Sequence, residues 1–473
     1  MSRTLERTPE VPVPNIVFIV VDDLGWADLA CTGSTFYQTP NLDRLAAQGV
    51  RFTQAYAAAP VCSPTRSSLL SGRYPARTGV TQYIGGHAVG QLRDVPYLHC
   101  LSMDEYSLAR ALRDGGYQTW HVGKWHLGGP STWPERHGFE VNVGGCSWGH
   151  PRTYWSPYGC PTLADGPTGE YLTDRLTDEA IKLVDRSDGR PFFLNLWHYA
   201  VHTPIQSPPA LVEKYRRKAA ALGLDDRPAI VPGEPMPTWH QQGERVMRRL
   251  FQSDPEYAAM IENLDANIGR LVSALDAAGV RDNTMIIFTS DNGGLATAET
   301  SPTCNSPLAE GKGWMEDGGV RVPLIVSWPG VTAPGSDTDV SMTSPDFYPT
   351  LLEAAGLPLR PDQHLDGISF LPVLHGEQPE RGPLYWHYPH YGNQGGTPGA
   401  AVRDGRFKLI RLFETGSDRL FDLEADIGEE HDLVDHEPLV GQRMSADLDR
   451  WLIEVSALIP HTNPNSRWDD LPG

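Results

Sequence analysis

Val61-Cys62-Ser63-Pro64-Thr65-Arg66, continued by Ser67-Ser68-Leu69-Leu70-Ser71-Gly72-Arg73, is the stretch around which the rest of the chain is read. Small residues, Ala57-Ala58-Ala59-Pro60, lead into it, and Gly72 stops a short apolar run. The pattern predicts a loop that feeds Cys62 onto the first turn of a helix. A group at that position meets unpaired N–H donors and the partial positive charge of a helix start, both of which favour an anion. Arg66 follows one turn later and shares the face. Taken alone, Cys62 reads equally as a structural or a merely reactive thiol; its partners elsewhere in the chain decide.

Working upstream, Asn15 to Val21 is a continuous β-branched run, which reads as a strand buried on both faces of a mostly parallel sheet. It ends in Asp22-Asp23-Leu24-Gly25. Adjacent carboxylates at the end of a buried strand repel one another and lose hydration, and a bound cation relieves both costs. An N-cap with a solvated turn is the other reading of so short a motif. Asn41 to Gly49 predicts a short helix and Val50 to Tyr56 a strand leading to Cys62.

Downstream, Ser107 to Arg113 predicts a helix and Tyr117 to Val122 a strand, followed by Gly123-Lys124-Trp125-His126-Leu127-Gly128. Lys124 and His126 lie on one side if the strand continues. Residues 129–170, rich in Gly, Pro, Trp and Tyr, read as a long ordered loop system, a candidate substrate rim. Glu170 to Val184 predicts a helix, and Pro191 to Tyr199 a buried strand that delivers His198 and then His202-Thr203-Pro204. Residues 205–250 form an insertion, and Glu256 to Ala278 has the apolar spacing of a long amphipathic helix. Thr284 to Thr289 repeats the first strand's design, ending at Ser290-Asp291-Asn292-Gly293-Gly294. Ligands of open α/β sheets gather beyond the carboxyl ends of strands, so Asp22, Asp23, Asp291 and Asn292 form an all-oxygen set suited to Ca²⁺, with Mg²⁺ the alternative. Lys312 follows, ahead of Gly318-Gly319-Val320-Arg321-Val322-Pro323, and Pro323 to Ser327 predicts one more strand.

From about residue 376 the texture changes. An aromatic and amide-rich loop, Trp386 to Gly396, precedes strands at Ala400 to Arg403 and Phe407 to Leu412 and a helix over Met444 to Val455. The expected organisation is an arm over 1–14, a large α/β domain over 15–375, and a small antiparallel sheet with one helix over 376–473.

Bulk properties agree with a large enzyme. The chain has 473 residues and a formal net charge of −20, which argues against a nucleic-acid or general polyanion surface. An anionic substrate therefore needs a locally basic pocket. No apolar run reaches membrane-spanning length. Met1 to Pro14 lacks an apolar core, so it reads as a disordered arm rather than a secretory signal, and the expectation is a cytoplasmic protein. The six cysteines, at 31, 62, 100, 146, 160 and 304, show no zinc spacing and free thiols are the default, with a pairing of Cys146 and Cys160 across a loop the alternative.

Cys62-x-Pro64-x-Arg66 with Ser71-Gly72-Arg73-Tyr74-Pro75, then Gly-Lys124-Trp-His126-Leu-Gly, His202-x-Pro204, Asp291-Asn292-Gly-Gly and Lys312 before Gly-Gly-Val-Arg-Val-Pro, resembles the type I sulfatases over residues 15–425. The resemblance implies the alkaline-phosphatase-like fold, a large mixed sheet sandwiched by helices with a smaller C-terminal antiparallel sheet. It implies that Cys62 is oxidised to formylglycine (3-oxoalanine) by a formylglycine-generating enzyme, and that the hydrated aldehyde attacks sulfur. Carried over by position, Asp22, Asp23, Asp291 and Asn292 bind Ca²⁺, which also holds the diol at position 62. Arg66 and Lys124 steady that diol, His126 removes its second hydroxyl proton, and His202 and Lys312 serve the leaving group. A phosphonate or phosphate ester hydrolase of the same superfamily is the first alternative. Those relatives favour a histidine after the second metal aspartate, where this chain has Asn292. A non-catalytic carbohydrate-binding relative is another, as is an enzyme left inactive for want of the converting machinery.

Substrate identity is less legible. His150, Arg152, His387, His390, Asn393 and Gln394, with several Trp and Tyr residues, suit a sugar ring, although loop packing explains the aromatics equally well. The resemblance to bacterial carbohydrate sulfatases implies an exo-acting enzyme on a sulfated sugar, with aryl sulfates as further substrates.

Overall fold

Seven consecutive buried residues make the first strand, β1 (Asn15–Val21), the axis of the molecule. In the computed structural model, which describes residues 13–464, alternate β1 side chains enter two different cores. Val17, Ile19 and Val21 face one, and Ile16, Phe18 and Val20 face the other. That is what an unbroken apolar strand requires, since successive side chains point to opposite faces. The remaining strands of this sheet are β2 (Val50–Phe52), β3 (Gln118–Gly123), β4 (Val141–Val143), β5 (Phe192–Trp197), β6 (Thr284–Ser290), β7 (Leu324–Ser327) and β8 (Ser336–Thr338). Their order is β8-β2-β7-β6-β1-β5-β3-β4. Only β7 runs antiparallel to its neighbours, so the sheet is mixed.

Helices cover both faces. On the first lie α1 (Pro40–Ala47), with α4 (Leu172–Asp185), α5 (Pro209–Ala221) and α6 (Pro255–Ala277) later in the chain. On the second lie α2 (Cys62–Ser71), α3 (Leu108–Asp114) and α7 (Phe347–Ala354). The longest, α6, starts where Asp254 accepts hydrogen bonds from the Glu256 and Tyr257 amides. Its buried Ile261, Leu264, Ile268, Leu271 and Leu275 recur at helical spacing, and each contributes about 1.5–3 kcal/mol by burial.

A second sheet, β9 (Leu384–Tyr388), β10 (Gly399–Asp404), β11 (Phe407–Leu412) and β12 (Ser417–Asp422), is wholly antiparallel. Its outer face packs on α8 (Pro438–Glu454) through Leu448, Trp451 and Leu452. The helix begins six residues before the expected Met444, because Pro438 starts it while Leu439 stays in solvent and leaves no apolar periodicity to read.

Three expectations need correction. Within 129–170, Val141–Val143 joins the sheet edge beside β3, a segment too short to carry a periodic signal. Val50 to Tyr56 is two short strands, β2 and Ala55–Tyr56, each in a different sheet. Trp386 to Tyr388 belongs to β9 rather than to a loop. The expected arm lies outside the described residues up to position 12. Among the described residues, no helix is long and apolar enough to cross a membrane.

Candidate active site

The carboxyl ends of β1, β3, β5 and β6 reach one edge of the sheet, with Val20 level with Trp197, Trp197 with Gly123, and Val21 with Ser290. Asp22 and Asp23 leave β1, Asp291 and Asn292 leave β6, Lys124 leaves β3 and His198 leaves β5. Opposite them Cys62 opens α2 after an extended Val61, and Gly72 closes the helix in the left-handed conformation. All ten α2 residues are buried.

Cys62 Sγ lies 3.2 Å from His126 Nδ1. The other ring nitrogen, Nε2, is 3.0 Å from the Ile84 carbonyl and donates to it, which leaves Nδ1 an acceptor toward the thiol. Burial pushes His126 well below the usual imidazole range, and the Lys124 charge adds to this. The Lys124–His126 reading is corrected in its cause: β3 ends at Gly123, and a left-handed His126 (φ 55°) brings the ring round, not strand alternation. Gly149 lets it fit, because a Cβ there would stand 2.7 Å from His126 Cε1.

Arg66 is fully buried. Its Nε donates to Asp291 Oδ2 at 2.8 Å and its Nη1 to the Lys124 carbonyl at 3.2 Å, and the guanidinium lies over the Trp197 ring. Lys124 Nζ meets Asp22 Oδ2 at 2.6 Å, and Lys312 Nζ meets Asp23 Oδ2 at 2.8 Å. Three cations thus face three carboxylates. Burial raises Asp22 well above the carboxylate range in spite of Lys124. For Asp23, burial is outweighed by the pull of the neighbouring His202 and Lys312, which holds it below that range. His202 Nε2 lies 2.9 Å from Lys312 Nζ and accepts from it, while Nδ1 faces the Thr203 carbonyl at 3.0 Å. Burial pushes His202 down against the attraction of Asp23.

The donor set fits a hard cation. Asp22 Oδ1 and Asn292 Oδ1 are buried without a hydrogen-bond partner, a cost that a metal at this point would remove. Asn292 Nδ2 is committed to Asp23 Oδ1 at 2.9 Å, which fixes the amide oxygen on the free side. Asp291 turns Oδ2 to Arg66, and among the described residues Asp22, Asp23 and His202 bring one possible ligand atom each within 4.8 Å of one another.

Cys62, His126, His202 and Lys312 line a cavity of about 370 Å³ together with His150, Asn393 and Gln394. Two predicted substrate residues are elsewhere. His387, inside β9, faces away from Trp386 and Tyr388 and pairs Nε2 with the Leu458 carbonyl; His390 is buried between Thr81 and Asp94. Arg152 is exposed, stacked over Trp148. The cavity also includes Tyr83, Ser147, Thr203 and Glu299, which sequence reading passed over. No motif marks them; only Thr203, beside His202, carried a signal. Cys146 and Cys160 are free thiols in this structure.

Residues 14–357 match the Sulfatase family model, and 311–457 match the model described as N-sulphoglucosamine sulphohydrolase, C-terminal. A protein described as "Sulfatase" from Formosa agariphila is 32% identical, over 94% of this chain and 89% of its own. Human arylsulfatase A is 34% identical, over 85% of this chain and 76% of its own. The crystal structure of Ps i-CgsB in complex with k-i-k-neocarrahexaose superposes with a TM-score of 0.73 at 29% identity, covering 93% of this chain and 92% of that one.

Proposed function

Because this chain belongs to the sulfatase family and is a sulfuric ester hydrolase, we propose that it removes sulfate from the terminal residue of a sulfated carbohydrate, with formylglycine made from Cys62 and calcium held by Asp22, Asp23, Asp291 and Asn292. One observation carries the proposal: a buried Cys62 at the head of α2, 3.2 Å from the acceptor nitrogen of His126. Formylglycine, installed by a generating enzyme, would supply a hydrated aldehyde, one hydroxyl to attack sulfur and a second through which the covalent sulfate departs. Calcium would supply fixed positive charge beside the sulfate oxygens.

The chain's own groups complete the chemistry. His126 Nδ1 takes the proton of the second hydroxyl, since Nε2 is held by Ile84. Arg66 and Lys124, anchored by Asp291 and Asp22, meet the charge that develops at position 62 without having to reorganise. The leaving alcohol's proton is held between Lys312 Nζ and His202 Nε2, and His202 passes it on. The carbohydrate assignment draws on the oligosaccharide held by Ps i-CgsB and on the ring and amide groups of His150, Asn393 and Gln394 in the cavity lining.

The test is a panel of sulfated mono- and oligosaccharides, with peptide mass spectrometry of position 62 on the same preparation. Hydrolysis of a terminal sulfate together with formylglycine is expected. Full activity with an unmodified cysteine would overturn the nucleophile, and faster cleavage of phosphonate monoesters than of any sulfate would overturn the ester class.

A further inference from the structure

Glu299 places a carboxylate in a cavity otherwise built to receive an anion. It stands on Ala298-Glu299-Thr300-Ser301, four consecutive non-glycine residues with positive φ of 54°, 44°, 77° and 44°. Each such residue costs roughly 1–2 kcal/mol, so the turn exists only because its surroundings impose it. Those surroundings are the hairpin Ile230–Pro235 and Arg245–Arg249, part of the 205–250 insertion. Ser301 Oγ and the Ala298 amide both donate to the Met247 carbonyl, at 2.7 and 3.1 Å, and the Arg249 side chain donates to the Ser301 carbonyl. Gln394 Nε2 donates to Glu299 Oε1 at 2.9 Å. Among the described residues Glu299 forms no ion pair, and Oε2 has no hydrogen-bond partner. The carboxylate is close enough to act on both Tyr83 and Lys312: it adds to the upward push of burial on Tyr83, and against burial it helps Asp23 to hold Lys312 up.

An unneutralised carboxylate beside a sulfate pocket weakens anion binding unless the far side of the ligand presents donors or positive charge. We infer that Glu299 is a specificity-determining residue for the leaving-group half of the substrate, selecting an alcohol whose hydroxyl or ammonium donors face the free Oε2 and excluding one that carries a carboxylate or a second sulfate there. This rests on the sulfatase reading of the same cavity. The insertion then has a role: it holds the selector in a backbone conformation that the chain would not adopt unaided.

The test uses aryl sulfates that differ in one charge: phenyl sulfates bearing aminomethyl, methyl or carboxyl at the 3- or 4-position. Variant-to-wild-type ratios of kcat/KM cancel differences in leaving-group strength, and the methyl ester is the internal reference. Glu299→Gln is expected to lower the aminomethyl-over-carboxyl preference about tenfold, and Glu299→Lys to invert it, both through KM. Both variants accept the left-handed turn as readily as glutamate does. Calorimetric binding of the same esters to Cys62→Ser protein, alone and combined with each Glu299 change, reads the ranking without turnover. Equal effects on all three esters, or none, would overturn the inference. If wild type hydrolyses no ester while the binding ranking still follows the charge at residue 299, the sulfatase reading fails and the selector stands. Donor sources separate too: a preference for aminomethyl over hydroxymethyl esters assigns an ammonium, and equal treatment of the two assigns hydroxyls.

Discussion

His126 and His202 are both buried imidazoles held below the usual range, yet their hydrogen bonds aim them at different atoms. The free nitrogen of His126 faces position 62, whereas His202 shares a proton with Lys312 on the far side of the cavity. A sugar alkoxide needs a proton to leave and a nitrophenolate does not. His202→Ala is therefore expected to lose about 10²–10⁴-fold in kcat on a sulfated sugar and far less on nitrophenyl sulfate. His126→Ala is expected to slow both substrates to a common rate and to accumulate a sulfated enzyme, read by intact-protein mass. Equal losses on both substrates for His202→Ala, with no adduct in His126→Ala, would reverse the assignment. Both residues were legible beforehand because each sits just past a buried apolar run; that His202 and Lys312, 110 positions apart, share one side of the site was expected only through the family resemblance.

At the scale of elements, the β3–His126 turn and the 144–150 loop are a fitted pair. Gly149→Ala puts a methyl against the His126 ring, so kcat on aryl sulfate is expected to fall at least tenfold while Tm changes by only a few degrees. An unchanged rate would show that the loop yields. Helix α6 carries a purely structural load: Leu264→Ala is expected to cost about 2–5 kcal/mol in denaturant unfolding, with kcat/KM of the folded protein unchanged. Its amphipathic spacing was readable over more than twenty residues. Strand β4 and the β9 identity of His387 were not, because a three-residue strand has no period and a strand among aromatic loops looks like one more aromatic loop.

At the scale of the whole molecule, a buried charge cluster anchors the C-terminal sheet. Lys408 on β11 meets Asp317 Oδ1 at 2.8 Å and Glu429 Oε1 at 2.9 Å, and Glu429 Oε2 accepts from the Asp317 amide at 2.6 Å. Burial raises Glu429 to about 8, against the attraction of Lys408. A carboxyl whose folded pKa is raised binds its proton more tightly when folded. Its contribution is therefore fully present below the unfolded value of 4.5 and is lost as pH rises through about 8. Wild-type Tm is expected to fall by a few degrees between pH 5 and 9, and Glu429→Gln to flatten that slope; a parallel slope in the variant would assign it to other groups. The calcium proposed above would be a second global lever. Metal bound only by the folded state adds about 2.7 kcal/mol at a hundredfold excess over Kd, so chelation should lower Tm and Ca²⁺ restore it. Asp22→Asn with Asn292→Ala should abolish that dependence.

Strands, their carboxyl-end carboxylates and the Cys62 helix start were written in local chemistry: a six-residue apolar run, a charge pair at its end, a proline and an arginine at fixed offsets. Such signals survive in one dimension because they depend on neighbours within a turn or two. Tertiary structure alone decided which aromatic and histidine residues reach the cavity. It buried His387 and His390 behind β9 and brought Glu299, Tyr83 and Ser147 into the cavity lining, because those positions depend on strand register and on a hairpin clamped some fifty residues away in the chain. The oxygens of the proposed metal site lay between these cases. Their identity was local, whereas the orphaned Asp22 Oδ1 and Asn292 Oδ1 exist only once β1 and β6 lie side by side and shut water out.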